Sequence, residues 1–417
     1  MLLGGEANAL SVARDLGRMG VKVYAVGDAD SCVRRCRYCR WVDPSPATSD
    51  EESWARFLLG DSSDFLHGAA VLACSDAGLR VLAEHRYELA SRYLLDESNL
   101  AAQIAVLDKL TTYKQAAAAG VAAPGFWEAG TRQQVLELKD RLVFPLMIKP
   151  RLSHLFEARF GRKHVIAADF TALLDAYDTA SAAGMDVLLM EWVPGGDERL
   201  CSYYTYLDEK STPLFHFTKR IIRRYPVGMG AACYHITDAI PELIEPANRL
   251  FRHVGLRGLA NVEFKHDPRD GQYKLIECNA RFTASNGLVS ASGVNLAAFV
   301  YNRIIGRPAP PPHHFKTGMR LWDPVRDYWS FGELRAAGDL TLAGWIKSIL
   351  HRQTFQYLWT SDPLPALARL FKPLRRRLRS GSRPVGSNAP GYPIGAEVVR
   401  LNPASPSSSI SRAHIPR

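Results

Sequence analysis

Two glutamates and one asparagine, Glu263, Glu277 and Asn279, have the residue types and spacing of a divalent-cation site. Side chains alternate between the two faces of a strand, so Glu277 and Asn279 project on the same side. If the apolar segments around them form a hairpin folded about Asp270, Glu263 lies directly opposite Glu277. The two carboxylates then repel each other unless a cation binds between them. Oxygen ligands of this kind suit Mg²⁺ or Mn²⁺, which complete their shells with water and substrate phosphates. The pattern predicts a metal and a nucleotide; the alternative is a hairpin whose glutamates point to water.

Other residues could bind the rest of a nucleotide. Lys149 ends the apolar segment 144–148, where an ammonium group suits phosphate oxygens. Backbone groups at the end of the apolar segment 187–193 could bind an adenine edge, and the Glu198 carboxylate could accept hydrogen bonds from ribose hydroxyls. The alternatives are a solvated strand end at Lys149 and an ordinary strand and turn at 190–198.

A basic strand offers further cations. Lys219-Arg220 and Arg223-Arg224 precede a loop that contains Gly228 and Gly230. Opposite a triphosphate, such cations could offset the charge that develops during phosphoryl transfer. A solvated basic hairpin is the alternative for Arg223 and Arg224, and Lys219 is the preferred candidate for the site.

The segments that carry these residues alternate between strand and helix patterns. A short strand at 1–3, Gly4-Gly5, a helical pattern at 9–19 and a strand at 21–26 form a βαβ opening. A strand at 69–74 and a helix around 78–85 continue the same order. A helix begins at Asp108-Lys109, and further strands are predicted at 142–149, 187–193, 259–266 and 273–280. The sequence therefore predicts an α/β protein.

The ordered set of motifs resembles the ATP-grasp superfamily and, within it, the carboxylate-amine ligase branch that includes D-aspartate ligase-like proteins. The resemblance covers about residues 1–305 and is more specific than any single motif. The motifs that carry it are Asp108-Lys109, Gly120 to Pro124, Phe144 to Pro150, Glu191 to Glu198, Glu263, and Ile276-Glu277-Cys278-Asn279-Ala280-Arg281. It implies a Rossmann-like domain at 1–97, followed by an ATP-grasp domain at 98–307. Two lobes of the second domain, the small one about 122–193, would sandwich the nucleotide.

The resemblance also implies a role for each matching residue. These residues are Lys109 and Lys149 for ATP, with Lys149 at the α- and β-phosphates, Glu191 and Val193 for the adenine hinge, Glu198 for the ribose, Glu263, Glu277 and Asn279 for the metal, and Arg281 for the substrate carboxylate or acyl phosphate. The loop that covers the phosphates departs from the usual glycine-rich pattern, because 151–163 contains only Gly161. Phe160-Gly161-Arg162-Lys163 takes its place, which makes Lys163 a candidate ATP-binding residue.

The implied activity is the ATP-dependent ligation of a small-molecule carboxylate to an amine through an acyl phosphate. One alternative is an ATP-grasp phosphotransferase, or a nucleotide-binding module without ligase turnover. A more remote alternative is a radical iron–sulfur enzyme, because Cys32, Cys36 and Cys39 have the spacing of a cluster motif. The cysteines lie among arginines, and no pattern typical of such enzymes follows them, so free thiols are the preferred interpretation.

The composition limits the classes of molecule that the protein is expected to bind. The net charge of +10 comes without a zinc-finger or aromatic RNA-binding pattern, so a polyanionic small molecule is expected rather than nucleic acid. No apolar run reaches the roughly 18 residues that span a bilayer, and a cytoplasmic location with reduced cysteines is expected.

Residues 308–379 are expected to form a mostly helical basic extension, and the Ser- and Pro-rich segment 380–417 is expected to be disordered. Peripheral membrane contact through 364–379 is an alternative to packing of that basic face on its own domain. The sequence does not indicate an oligomeric state.

Overall fold

A computed structural model of the chain describes residues 1–96, 98–150, 164–307, 310–312 and 314–370. Three sheets organise these residues, and helices pack against their faces. The predicted tail at 380–417 and the basic segment 371–379 lie outside the described residues, as does Lys163. The predicted domain boundaries stay predictions.

The first sheet is parallel and carries helices between its strands. Its strands are β1 (Leu2–Leu3), β2 (Val23–Val26), β3 (Cys39–Trp41), β4 (Ala70–Ala73) and β5 (Leu94–Leu95), in the order β3-β2-β1-β4-β5. Its helices are α1 (Ala7–Arg18), α2 (Asp50–Leu59), α3 (Asp76–Glu84) and α4 (Arg86–Ala90). Gly4 has a φ of +70°, and a Cβ there would lie 2.1 Å from the Ser75 Oγ, so the turn after β1 requires glycine. The predicted βαβ opening is confirmed.

The second sheet is small and antiparallel. Its strands are β6 (Phe126–Glu128), β7 (Leu146–Pro150), β8 (Val165–Ala167) and β9 (Val187–Glu191), in the order β6-β9-β7-β8. Helices α5 (Leu100–Leu107) and α6 (Lys109–Ala118) precede it, and α7 (Arg132–Glu137) and α8 (Phe170–Ala182) lie within it along the chain. The strand predicted to begin at 142 begins instead at Leu146, because Pro145 has no N–H to donate to a ladder.

The third sheet is the largest. Its strands are β10 (Leu200–Leu207), β11 (Phe217–Tyr225), β12 (Ala231–Thr237), β13 (Gly258–His266), β14 (Tyr273–Asn279), β15 (Arg320–Trp322) and β16 (Thr354–Phe355), in the order β14-β13-β10-β11-β12-β15-β16. All neighbours are antiparallel except β15 and β16. Helix α9 (Ile244–Val254) connects β12 to β13.

One face of this sheet is a hydrophobic core. Val262 and Phe264 of β13 are fully buried in a cluster with Tyr113 of α6 and Phe251 of α9. These residues alternate along β13 with Glu263, which therefore projects from the opposite face. The opposite face carries Glu263 at one end of the sheet and packs at the other end against a second hydrophobic cluster, which includes Tyr204, Tyr206 and Phe217.

The remaining helices tie the C-terminal part to the sheets. They are α10 (Asn286–Ala291), α11 (Leu296–Ile304), α12 (Pro324–Ala336), α13 (Leu342–Ile349) and α14 (Leu364–Leu370). Arg14 of α1 and Asp362 form a buried ion pair of 3.0 Å. Within the described ranges, no helix combines the length and the apolar character needed to cross a bilayer.

The alternative of a solvated basic hairpin is wrong for Arg223 and Arg224. Arg223 is buried and donates two hydrogen bonds to Asp327 of α12, with Nε 2.6 Å from Oδ1. Arg224 is half-buried and pairs with Asp197. Both guanidinium groups are therefore neutralised by carboxylates of the protein, and neither is available as the free cation that the sequence suggested.

Candidate active site

The two predicted metal-binding glutamates face each other across neighbouring strands. Glu263 of β13 pairs with Glu277 of β14, and Asn261 pairs with Asn279 two residues away. A register shift follows between Glu263 and Phe264, where Phe264 pairs with Leu275. The bulge lies beyond the pair of glutamates, so all of these polar side chains share one face. Burial raises the pKa of Glu263, and the neighbouring Glu277 carboxylate acts in the same direction while Lys219 opposes it.

The same row continues across the sheet to Lys219. Ser202 of β10 pairs with Glu263 on one side and with Lys219 of β11 on the other. Lys219 is 2% exposed, and no ion pair to it is found in the described ranges. Burial lowers its pKa, and the Glu263 carboxylate partly compensates. Strand pairing therefore places one buried ammonium group on the face that carries the two carboxylates.

Two more lysines approach the carboxylates from outside the large sheet. The Nζ of Lys109, the first residue of α6, lies 3.3 Å from the Glu277 Oε1. Lys149 of β7 is close enough that Glu277 and Glu263 stabilise its charge, while burial, followed by repulsion from Lys109, lowers its pKa to about 8. Three ammonium groups thus surround two carboxylates. Such an arrangement suits a polyanion that binds together with a cation.

The predicted hinge residues lie at the end of β9. The Glu191 carboxylate accepts a hydrogen bond of 2.9 Å from the Gly125 N–H and pairs with Arg269, so it fixes the hinge rather than pointing freely into a cleft. The Val193 carbonyl accepts a 2.8 Å hydrogen bond from Lys265, whose Nζ lies 5.0 Å from the centre of the Trp192 ring.

Glu198 stands apart from the carboxylate row. It lies on the 3-10 turn Asp197–Arg199, just before β10, and its side chain is 62% exposed. Glu198 contributes with Asp197 to the field around Lys265, whose pKa burial lowers to about 8. The structure therefore places Glu198 near the hinge and away from Glu263, at a position accessible to a bound molecule.

Arg281 connects the first sheet to the strands that carry Glu263 and Glu277. Its Nε lies 2.6 Å from the Asp76 Oδ1, and its Nη2 lies 3.1 Å from the Oδ2, across 205 residues of sequence. Asp76 follows the helix cap Ser75 at the start of α3. A small cavity beside this pair is lined by Asp76, Lys109, Tyr113, Glu277 and Asn279 among others. Sequence reasoning missed Asp76, although Ser-Asp directly after a parallel strand is a recognisable helix start at the edge where ligands bind.

Two buried oxygen atoms near the carboxylates have no hydrogen-bond partner in the described part of the chain. They are the Oγ of Ser202 and the Oδ1 of Asn261. Buried polar atoms are nearly always paired, so such atoms indicate a missing ligand or water. No third histidine, cysteine or carboxylate joins Glu263 and Glu277 within the described ranges, which leaves the amide oxygen of Asn279 as the next protein ligand. This all-oxygen set fits a hard cation such as Mg²⁺.

The cysteine motif lies at the edge of the first sheet. Cys32, Cys36 and Cys39 form no disulfide, and no group of three side chains that could hold a metal ion is found among the described residues. Burial raises the pKa of Cys36 and of Cys39 to about 12, which disfavours the thiolate form that an iron–sulfur cluster requires. Thiols without a cluster stay the preferred interpretation.

Comparisons with known proteins agree with the geometry. A family model described as ATP-grasp in the biosynthetic pathway with Ter operon matches residues 219–323. The chain is 23% identical to a D-aspartate ligase of Enterococcus faecium over 334 residues, which cover 74% of this chain and 77% of that protein.

Two solved structures have the same fold at low sequence identity. Biotin carboxylase from Campylobacter jejuni has a TM-score of 0.58 at 14% identity and covers 74% of this chain and 71% of its own. L-amino acid ligase from Bacillus licheniformis has a TM-score of 0.53 at 17% identity and covers 73% of each chain. These likenesses confirm the predicted fold class. The roles of individual site residues stay predictions.

Proposed function

Because this chain belongs to the ATP-grasp superfamily, we propose that it is an ATP-dependent carboxylate-amine ligase that forms an amide or peptide-like bond. The family and the enzyme class, an ATP-grasp ligase, are as predicted. The substrates and the mechanism are our proposal. The observation that carries it is the row of Glu277, Glu263 and Lys219 on one sheet face, with Lys109 and Lys149 beside it.

The nucleotide would lie between the small and the large antiparallel sheets. Lys109 and Lys149 would bind its phosphates, the backbone at Val193 its adenine, and Glu198 its ribose. Glu263, Glu277 and Asn279 would hold Mg²⁺ or Mn²⁺, which supplies charge that offsets the two carboxylates and the phosphate oxygens. Ser202, between Glu263 and Lys219, is a further polar group that faces this space.

The chain's own residues would then position two reactants. A carboxylate oxygen of the acid attacks the γ-phosphorus, the bond to the bridging oxygen breaks, and ADP leaves with the electron pair. The acyl phosphate that forms is attacked by the amine nitrogen, the bond to the phosphate oxygen breaks, and the nitrogen loses a proton. Lys219 would offset the charge on the transferred group, and Arg281, held in place by Asp76, would exchange part of that pairing for the substrate carboxylate and orient it.

An ADP-release assay tests this function. The twenty amino acids are screened as acids and as amines with ATP and Mg²⁺, and ADP release is expected to require one of each. Glu277→Ala should reduce turnover by at least ~100-fold, because the metal-binding pair is destroyed. Glu245→Ala, at an exposed ion pair on α9, is the matched control and should leave turnover unchanged.

Other outcomes would contradict the proposal in distinct ways. Turnover that survives Glu277→Ala would remove the metal assignment. ADP release that needs no amine and yields a stable phosphorylated acid would instead indicate a phosphotransferase, and nucleotide binding without any turnover would indicate a binding module.

A further inference from the structure

A buried histidine lies on the site face of the large sheet, beyond Lys219. His235 of β12 is 3% exposed and pairs with Ile221 of β11 and Leu321 of β15. Thr237, two residues along β12, pairs with Lys219. His235 and Lys219 are therefore diagonal neighbours on the same face, about 7–8 Å apart or slightly less. The row of polar side chains that begins at Glu277 thus reaches His235 on β12, where the cross-strand neighbours Ile221 and Leu321 are apolar.

The imidazole has no hydrogen-bond partner in the part of the chain that the structure describes. Neither Nδ1 nor Nε2 has a partner of ordinary hydrogen-bond geometry. The Ala232 backbone lies near enough to favour the protonated ring, which leaves at least one ring nitrogen without a partner in the described ranges. Buried polar atoms are nearly always paired. The lack of a partner within the described ranges indicates that a bound molecule could complete the hydrogen bonds of His235.

Another unpaired polar atom borders the same region. The Ser202 Oγ, also buried without a partner within the described ranges, lies on the opposite side of Lys219 from His235. Helix α10 contacts both β12 and β15 and so packs beside His235.

The charge of His235 suits an amine better than a carboxylate. Burial lowers its pKa well below the usual value, and the positive charge of Lys219 acts in the same direction, so the ring is neutral. A neutral imidazole has one nitrogen that accepts a hydrogen bond. The neighbouring site residues Lys219, Lys149, Lys109 and Arg281 are all cationic donors, which repel an ammonium group and cannot accept a hydrogen bond from an amine.

We propose that His235 lines the subsite for the acceptor amine and accepts a hydrogen bond from the attacking nitrogen, so that the nitrogen lone pair points at the acyl carbon. This proposal rests on the proposed ligase function. The ligand is a primary amine, and the role of His235 is to bind and orient it. The acid and the nucleotide would occupy the other side of Lys219, above Glu263 and Glu277.

The test separates the amine step from acyl phosphate formation. Hydroxylamine serves as the amine probe, and the amino acid that the ADP-release screen identifies as the acid is supplied without its amine partner. Positional isotope exchange in labelled ATP, measured without hydroxylamine, reports acyl phosphate formation. In His235→Phe, the KM for hydroxylamine is expected to rise by roughly tenfold or more, because one hydrogen bond is lost. The isotope exchange rate and the KM for ATP should stay within about twofold.

Matched variants distinguish binding from folding. His235→Gln retains an acceptor oxygen and should restore part of the hydroxylamine affinity, and it also provides a folded variant if the Phe variant does not fold. His216→Phe removes a histidine whose ring nitrogen is bound within the protein, and it should leave the KM for hydroxylamine unchanged.

The outcomes for the two proposals differ. An unchanged hydroxylamine KM in folded His235→Phe, or a rise in His235→Gln as large as the rise in His235→Phe, would overturn the His235 proposal alone. A parallel rise in the KM for ATP would also overturn it, because His235 would then belong to the nucleotide site. A wild-type protein that shows neither isotope exchange nor hydroxamate with any acid would overturn the ligase function, and the His235 proposal with it.

Discussion

Strand β11 carries two buried cations that differ in how their charge is compensated. Arg223 binds Asp327 through two hydrogen bonds, and its side chain is 6% exposed. Lys219 is at least as deeply buried, yet no carboxylate pairs with it in the described part of the chain; Glu263, two strands away, acts only through its field. A buried charge is costly unless it is paired.

The difference separates structure from function on one strand. Arg223 is fully satisfied within the protein, and Trp345 also donates to Asp327 at 2.9 Å, so this group joins α12 and α13 to the sheet. The Lys219 charge is only partly compensated by Glu263, and no carboxylate pairs with it in the described part of the chain. A buried ammonium group in this position is best explained by an anionic ligand that binds there.

The largest expected effect is on stability, at the satisfied cation. Arg223→Met should destabilise the protein by about 3–5 kcal/mol, because Asp327 is left buried and unpaired. Chemical unfolding measures this change. The double variant Arg223→Met, Asp327→Leu should recover most of the loss, and a single variant as stable as the wild type would contradict the structural role of the pair.

A smaller effect, on catalysis, is expected at the unsatisfied cation. Lys219→Met should reduce kcat by at least ~100-fold, because charge on the transferred group is no longer offset. Its stability should be unchanged or slightly higher, because a buried unpaired charge has been removed. A Lys219→Met variant that is strongly destabilised but releases ADP near the wild-type rate would contradict the functional role of Lys219 and its contrast with Arg223.

The pairing of Glu263 with Glu277 could be predicted from the sequence because it depends on one local hairpin. The turn residues between the strands place its centre near Asp270, and side-chain alternation then decides which residues share a face. The bulge after Glu263 was not predictable, but it lies beyond the pair that matters. Helix α6 was also predictable, because Asp108 caps it and Gly120 follows its end.

The rest of the site depends on contacts between distant segments. Lys219 lies on the same face as Glu263 and Glu277 because β10 pairs with both β11 and β13, and no local sequence pattern encodes that strand order. The ion pair of Asp76 with Arg281 joins two sheets, and the compensation of Arg223 by Asp327 depends on a helix about a hundred residues away. The sequence shows which residues are charged, whereas the packing decides which charges remain for a ligand.

The smallest expected effect concerns the pH dependence of nucleotide binding and tests a third cation of the site. Burial and the charge of Lys109 lower the pKa of Lys149 to about 8, below its ordinary value of 10.5. The ammonium form therefore predominates below pH 8 and is lost as the pH rises through that value. The Kd for Mg-ATP should increase above pH 8, by at most about tenfold per pH unit. Calorimetric titration of Mg-ATP binding between about pH 6.5 and pH 9.5, roughly 1.5 pH units on either side of that pKa, measures the change in Kd.

Two variants assign this dependence to one lysine. Lys149→Arg keeps a positive charge throughout the range, so its Kd should stay nearly constant with pH. Lys265 at the hinge has a similar pKa of about 8, so Lys265→Met is the matched control and should retain the wild-type slope. If the slope persists in Lys149→Arg and disappears in Lys265→Met, the titrating cation lies at the base end of the nucleotide. That outcome would contradict the role of Lys149 as the titrating, nucleotide-binding cation.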